Sequence, residues 1–297
     1  MTDLRVVSEK EELEIIKPKA TLAEITFSGG DKVELSENEK LILVGPNNSG
    51  KSQSLREIVK ICQSGNAEQC LVVKDLKLNK NGSSKELLEY LNKNADLINN
   101  QFQMSDYLIH RSYVPFWDNN PYLINGLHAG SIKNVAANDR LNICNQQNSL
   151  SPGQHKTKPQ HILYDDEELM KRVSGLFRKS FSKDLMFDFR GGSKLPIHVG
   201  QIPKGENVVD RVGSDYVSKV RENPLLDKQG DGIKSYAGIL FETVVSERDI
   251  TLLDEPEAFL HPPQMRRLGE TLSSEVKGQL IVATHSSDIL RVFLEGT

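Results

Sequence analysis

Residues 41–52, LILVGPNNSGKS, decide the fold of this 297-residue chain. The first four are apolar and predict a buried strand, and the next eight fit the pattern G-x-x-x-x-G-K-[ST] at every fixed position. Apolar residues then recur at helical spacing; these are Leu55, Ile58, Val59 and Cys62. A strand, a glycine-rich loop and a helix in this order let main-chain N–H groups surround a phosphate at the helix N-terminus. The sequence therefore predicts a site for a nucleoside triphosphate.

Two side chains of this loop have the chemistry that a triphosphate needs. Lys51 would neutralise the β- and γ-phosphates, and the Ser52 hydroxyl would ligate Mg²⁺. The residues that we expect to contact the nucleotide are Gly45, Pro46, Asn47, Asn48, Ser49, Gly50, Lys51, Ser52 and Gln53. A GTPase is disfavoured because the motif N-K-x-D is absent. ATP and Mg²⁺ are therefore the expected cofactors.

A second motif lies near the end of the chain. Residues 250–253, ITLL, predict a buried strand that ends at Asp254 and Glu255. Residues 280–283, LIVA, predict another that ends just before Thr284 and His285. Ligands of a doubly wound sheet bind at the carboxyl ends of its strands. We therefore expect Asp254 to hold Mg²⁺ and Glu255 to polarise the water that attacks the γ-phosphate.

Composition limits the class of protein. A hydrophobic fraction of 37% and a charged fraction of 26% are ordinary for a soluble globular chain. No apolar run approaches the roughly 20 residues of a membrane span, and the N-terminus is too acidic for a signal peptide. The three cysteines form no C-x-x-C pair, which favours a reducing compartment. We expect a cytoplasmic protein without a membrane segment.

The predicted elements indicate a discontinuous core. A hairpin is predicted around Gly29 and Gly30, and further strands at 70–73 and in a hairpin over 185–199. Ser83 and Glu86 predict a capped helix that extends to about Asn94. The composition of residues 142–160 predicts a surface loop. The fold class is α/β, a mainly parallel sheet with an N-terminal antiparallel hairpin and a large α+β insertion. The core would comprise 1–75 and 230–297, with 76–229 inserted as a helical and β-hairpin lobe.

Three segments together resemble a known family: LVGPNNSGKS at 43–52, LLDEPEAFLHPPQ at 252–264 and VATHSSDIL at 282–290. They are similar to the ATPase heads of the ABC and SMC superfamily. Within it they are closest to ATPases of the overcoming-lysogenization-defect (OLD) type, which include those of antiphage systems such as Septu and retron effectors. The resemblance covers the two ends of the chain, about a third of it.

The resemblance implies roles for matching positions. Residues 45–52 would be Walker A, Asp254 and Glu255 would be Walker B with the catalytic base, and His285 would be the switch histidine at the γ-phosphate. Heads of this kind sandwich two ATPs in a dimer, each closed by the partner's signature loop. Gly232 matches a signature glycine, although Gly230 stands where a serine is usual.

Other positions remain open between two interpretations. His261 lies in the segment that matches the D-loop and would contact the partner head, or it caps a turn. Gln101 and Gln103 are candidates for the Q-loop glutamine or plain surface residues. Residues 171–194 carry a net charge of +5 and would contact nucleic acid, or they form a solvated helix and hairpin face.

The leading functional prediction is an ATP-hydrolysing dimeric switch that regulates a nuclease in antiphage defence. The nuclease would be a further domain or a separate chain. The alternative is an SMC-like ATPase of DNA repair or chromosome structure that clamps DNA, although the long heptad arms of that class are missing from 76–229. A transporter subunit would carry an LSGGQ-like signature, which is absent, and Glu255 argues against a non-hydrolysing scaffold.

Overall fold

The computed structural model describes residues 15–203 and 211–295. The strands in this part of the chain are β1 (Ala20–Phe27), β2 (Lys32–Glu34), β3 (Lys40–Val44), β4 (Val73–Lys80), β5 (Asp96–Ile98), β6 (Gln101–Met104), β7 (Tyr107–His110), β8 (Ile132–Val135), β9 (Gln147–Asn148), β10 (Asp184–Phe187), β11 (Lys194–Leu195), β12 (Ile197–Gly200), β13 (Ile250–Asp254) and β14 (Gln279–Thr284).

The helices of the same residues are α1 (Lys51–Ser64), α2 (Ser84–Asn94), α3 (Phe116–Asn119), α4 (His128–Ser131), α5 (Ala137–Asn142), α6 (Pro159–Asp165), α7 (Glu167–Phe181), α8 (Ser214–Arg221), α9 (Asp231–Leu240), α10 (Pro262–Glu275) and α11 (Ser287–Glu295). The π-helical turn Phe241–Val245 continues α9. No helix in these residues is long and apolar enough to cross a bilayer.

A four-stranded parallel sheet forms the centre of the fold, in the order β3–β14–β13–β8. Strands β3, β13 and β14 were predicted from their mainly apolar runs, which suit a parallel sheet covered on both faces. One apolar cluster covers each face: α1 packs with β1 and β4 on one side, and α7, α9, α10 and α11 pack on the other. All four strands end at the same edge, where the predicted site residues lie.

The predicted N-terminal hairpin is confirmed by the antiparallel pairing of β1 with β2. The strand predicted at 70–73 is wrong in position, since β4 begins only at Val73 and pairs with β1. The main-chain N–H groups of Leu71 and Val72 instead donate to the Glu57 carboxylate of α1. The capping box of Ser83 and Glu86 and the second hairpin, β10 with β12, are confirmed.

The division into a core of 1–75 and 230–297 with an insertion of 76–229 stays a prediction. The structure adds that β8, which lies inside 76–229, is hydrogen-bonded to β13 as the fourth strand of the central sheet. The range also contains an antiparallel meander of β5, β6 and β7. The predicted surface loop at 142–160 contains only the short β9 before α6 begins.

Candidate active site

The glycine-rich loop joins β3 to α1 at the carboxyl edge of the sheet. Gly50 is the N-cap of α1, and no side chain caps this helix N-terminus. Its φ of 90° is left-handed, which favours glycine. A Cβ on Gly45 would lie 2.7 Å from the Ser49 Oγ. The loop therefore depends on its glycines for a tight cradle of main-chain amides, which fits a phosphate group.

Lys51 lies across this cradle. Its side chain is largely buried, and its Nζ donates to the carbonyl oxygens of Gly45 and Pro46, both at 2.7 Å. The ammonium is therefore held over the concave side of the loop by two main-chain acceptors. A phosphate bound there would exchange these weak partners for charged oxygens.

A contact between α1 and β13 joins the two predicted motifs. The Ser52 Oγ donates to the Asp254 Oδ1 at 2.8 Å, although the residues are 202 positions apart. A hydroxyl and a carboxylate side by side are the oxygen ligands that Mg²⁺ takes beside substrate phosphates. The residues thus fit a magnesium ion together with a triphosphate on the loop.

Glu255 and His285 follow adjacent strands and face each other. The His285 Nδ1 lies 4.0 Å from the Glu255 Oε1, and both side chains are about half exposed. The Glu255 amide donates to the Ala283 carbonyl at 2.8 Å. Two groups that sequence reasoning assigned to the γ-phosphate therefore lie together, beside Asp254 at the end of β13.

Glu257 is a buried carboxylate that contacts His285. Only 4% of it is exposed, and its Oε1 accepts from the His285 main-chain N–H at 2.8 Å and lies 3.0 Å from Nδ1. The motif LLDEPE contained this residue, but nothing in its pattern distinguished it from a surface carboxylate. The structure places it beside the candidate site, in contact with both the main chain and the ring of His285.

Glu57 of α1 anchors the segment beside the loop. It is 2% exposed and accepts main-chain N–H groups of Leu71, Val72 and Val73 at 2.7–2.9 Å and the Gln53 amide at 2.9 Å. Burial alone would raise the pKa of Glu57, but these donors outweigh burial and lower the pKa to about 2. Sequence reasoning missed it, although a carboxylate among the apolar residues of α1 was the available signal.

Gly232, one candidate for contact across a dimer, lies against the segment that precedes the other, His261. Gly232 is in the first turn of α9, and a Cβ there would lie 2.6 Å from the Phe259 carbonyl oxygen. Phe259 is half exposed with a φ of 70°. His261 is the N-cap residue of α10, and its main-chain N–H donates to Gln264 at 3.1 Å. His261 thus occupies the N-cap position, but its side chain makes no cap hydrogen bond. Its contact with a partner stays a prediction.

Gln101 and Gln103 lie on β6, away from the predicted site. The turn that follows β6 contacts Arg248 and Lys133 through Asp106, and Arg248 precedes β13 at the amino edge of the sheet. This arrangement favours the interpretation of both glutamines as surface residues of the meander.

The basic segment 171–194 is partly neutralised within the chain. Three of its cations pair with carboxylates, in the pairs Lys171–Glu167, Arg172–Glu275 and Arg178–Asp184. This favours a solvated face, and contact with nucleic acid stays a prediction.

Comparison with known proteins gives the family and the fold. The profile of the family described as "AAA domain, putative AbiEii toxin, Type IV TA system" matches residues 41–291. An SMC head solved with the C-terminal winged-helix domain of ScpA has a TM-score of 0.51 and 14% identity, covering 92% of this chain and 91% of that chain. The SMC head of Thermotoga maritima (TM-score 0.40, 12% identity) covers 93% and 92%, and CbiO1 of Clostridium perfringens (0.37, 16%) covers 93% and 81%. No match was found among curated protein sequences.

Proposed function

We propose that this chain, which belongs to the AAA-domain family matched over residues 41–291, binds and hydrolyses Mg²⁺-ATP as a dimeric switch. Its fold is that of a P-loop NTPase of the ABC and SMC type. The observation that carries the proposal is the 2.8 Å hydrogen bond between Ser52 and Asp254. It brings the phosphate loop and the acidic strand end together in the arrangement that a magnesium–triphosphate complex requires.

Each residue of the site would have a separate task. The amides at the start of α1 and the Lys51 ammonium would bind the phosphates, and Ser52 and Asp254 would hold the magnesium ion, which would neutralise developing charge. Glu255 would accept the proton of the attacking water. His285, fixed by Glu257, would donate to the γ-phosphate.

The proposed dimer would form through the surface around Gly232 and Phe259. Gly232 lies against the main chain of Phe259. The start of α9 and the segment before α10 are therefore neighbours, as expected if both face a partner head. The resemblance to OLD-type ATPases and the toxin–antitoxin description of the family support a role in defence, with a nuclease as the regulated partner. An SMC-like clamp receives less support, because the longest helix of the described residues, α7, has 15 residues and forms no arm.

Glu255→Gln tests hydrolysis and assembly together. Glutamine keeps the shape but cannot serve as a base, so the rate should fall by about 10²–10⁴-fold while ATP stays bound. Because slow hydrolysis would delay separation of the heads, light scattering should show an ATP-dependent dimer. Glu270→Gln, an exposed site on α10, is the matched control.

Two outcomes would contradict the proposal separately. Hydrolysis at the wild-type rate in Glu255→Gln would remove Glu255 as the base. A variant that binds ATP and no longer hydrolyses it, but whose mass never changes with ATP, would refute the dimer alone.

A further inference from the structure

Arg140 is a charged side chain behind the catalytic turn that sequence reasoning passed over. It is the largest of the fully buried side chains, with 0% exposure. It lies on α5, which follows β8. A buried charge is stable only where hydrogen bonds and opposite charges replace its lost hydration. The contacts of its guanidinium therefore indicate what keeps it there.

Both hydrogen bonds of the guanidinium end on the main chain around Glu255. Nη1 donates to the Asp254 carbonyl at 2.6 Å, and Nη2 donates to the Glu255 carbonyl at 3.1 Å. These carbonyls belong to the peptide groups directly before and after the Glu255 Cα. The two bonds therefore restrain both main-chain dihedrals of Glu255, and with them the direction of the Cα–Cβ bond from which its side chain extends.

The conformation held in this way is unfavourable by itself. Glu255 has a φ of 43°, in the left-handed region that a non-glycine residue adopts at a cost of about 1–3 kcal/mol. The pairing of β13 with β8 ends at Leu253 and Val135. Beyond this point Arg140 supplies the hydrogen-bond donors that the β8–β13 ladder no longer provides. On the other side of the turn, the Ala283 carbonyl accepts from the Glu255 amide.

Charge and packing also favour this position of Arg140. Burial lowers the pKa of Arg140, whereas the carboxylates of Asp254 and Glu257 act in the opposite direction. The approach of α5 depends on Gly238 of α9, where a Cβ would lie 2.1 Å from the Arg140 carbonyl oxygen. The guanidinium thus lies inside the protein behind three acidic residues of the site.

We propose that Arg140 is a positioning residue for ATP hydrolysis, which holds Glu255 in the left-handed conformation that aims its carboxylate at the attacking water. The role rests on the proposed function of the site. Arg140 would act through the main chain of Glu255, without touching the nucleotide. It should therefore affect the rate of the chemical step and leave the affinity for ATP nearly unchanged.

Arg140→Lys is the central variant, because it keeps the charge and removes the fork that reaches two carbonyls. We expect kcat to fall by about 10–100-fold, as small displacements of a catalytic group do, with KM and the affinity for Mg²⁺-ATP within about threefold of wild type. Arg248→Lys is the matched control: Arg248 is also buried and also donates to a main-chain carbonyl, at the opposite edge of the sheet. It should keep the wild-type kcat.

A double-mutant cycle distinguishes positioning from general structural support. If Arg140 acts through Glu255, Arg140→Lys should cause no further loss in a Glu255→Gln background, measured under single-turnover conditions. If Arg140→Lys does not fold, Arg140→Gln, which removes the buried charge, replaces it in the same double-mutant cycle.

The contrary outcomes distinguish failure of the positioning role from failure of the proposed function. An unchanged kcat in Arg140→Lys, additive losses in the cycle, or an equal loss in Arg248→Lys would each overturn the positioning role. A wild-type protein that does not hydrolyse ATP would instead refute the proposed function, and this role with it.

Discussion

Replacing Glu57 by Gln tests whether the segment beside the phosphate loop is held by a buried carboxylate. Glutamine has the same shape, but it accepts hydrogen bonds less strongly and turns an N–H group towards main-chain donors. Because Val72 packs against Gly50, loosening this segment should also loosen the loop. We therefore expect a loss of stability that depends on pH, accompanied by weaker nucleotide binding.

The magnitude follows from the pKa of Glu57, which is lowered from 4.5 to about 2. This corresponds to about 3 kcal/mol of stability. Because the pKa in the folded state lies below that of the unfolded chain, the stabilisation is present above about pH 4.5 and is lost as the pH falls towards 2. About 1 kcal/mol of this stabilisation should be lost by pH 4 and about 2 kcal/mol by pH 3.

Urea unfolding followed by circular dichroism at pH 7, 4 and 3 measures this effect. Glu57→Gln should be less stable than wild type by about 3 kcal/mol at pH 7, and the difference should shrink to about 1 kcal/mol at pH 3. Glu89→Gln, an exposed site on α2, is the control and should behave as wild type. A difference that stays constant across this range, or none at pH 7, would refute the reasoning.

Two further predictions concern His285 and the basic segment. Glu257→Gln should lower kcat by about tenfold with little change in KM, because His285 loses a charged acceptor; steady-state kinetics measure both, and an unchanged kcat would remove Glu257 from the site. If the 171–194 segment binds nucleic acid, replacing Arg178, Lys179 and Lys183 by Glu should weaken binding and flatten its dependence on salt. A salt slope equal to wild type in fluorescence anisotropy titrations would leave the segment as a solvated face.

The central strands were predictable because their local pattern and their environment agree. The runs at 41–44 and 280–283 are apolar throughout and the run at 250–253 is apolar except for Thr251, as a sheet covered on both faces favours. Strand β8 escaped notice because Lys133 and Asn134 occupy its middle. Lys133 lies against Glu242 at 3.4 Å and pairs with Asp106, so the chain provides partners for a lysine that the local sequence could not foresee.

The candidate site was predictable where its residues belong to contiguous sequence motifs. Lys51, Ser52 and Asp254 could be named as candidates because each stands at a fixed position in such a motif. Arg140 and Glu57 were missed because charged residues usually face solvent, and their burial depends on carbonyl and amide groups distant in sequence. Almost every residue type offers the same main-chain groups, so contacts of this kind leave no pattern in the sequence.

Binding of a nucleoside triphosphate to the loop at 45–52 is the premise of every role proposed for this protein. Titration calorimetry with Mg²⁺-ATP should show binding to wild type and to Lys60→Ala, an exposed lysine on the same helix. In Lys51→Ala the phosphates lose their buried cation, a loss of about 3–5 kcal/mol, so the affinity should fall by at least about 100-fold. Equal affinity of Lys51→Ala and wild type, or no binding to wild type, would contradict the account.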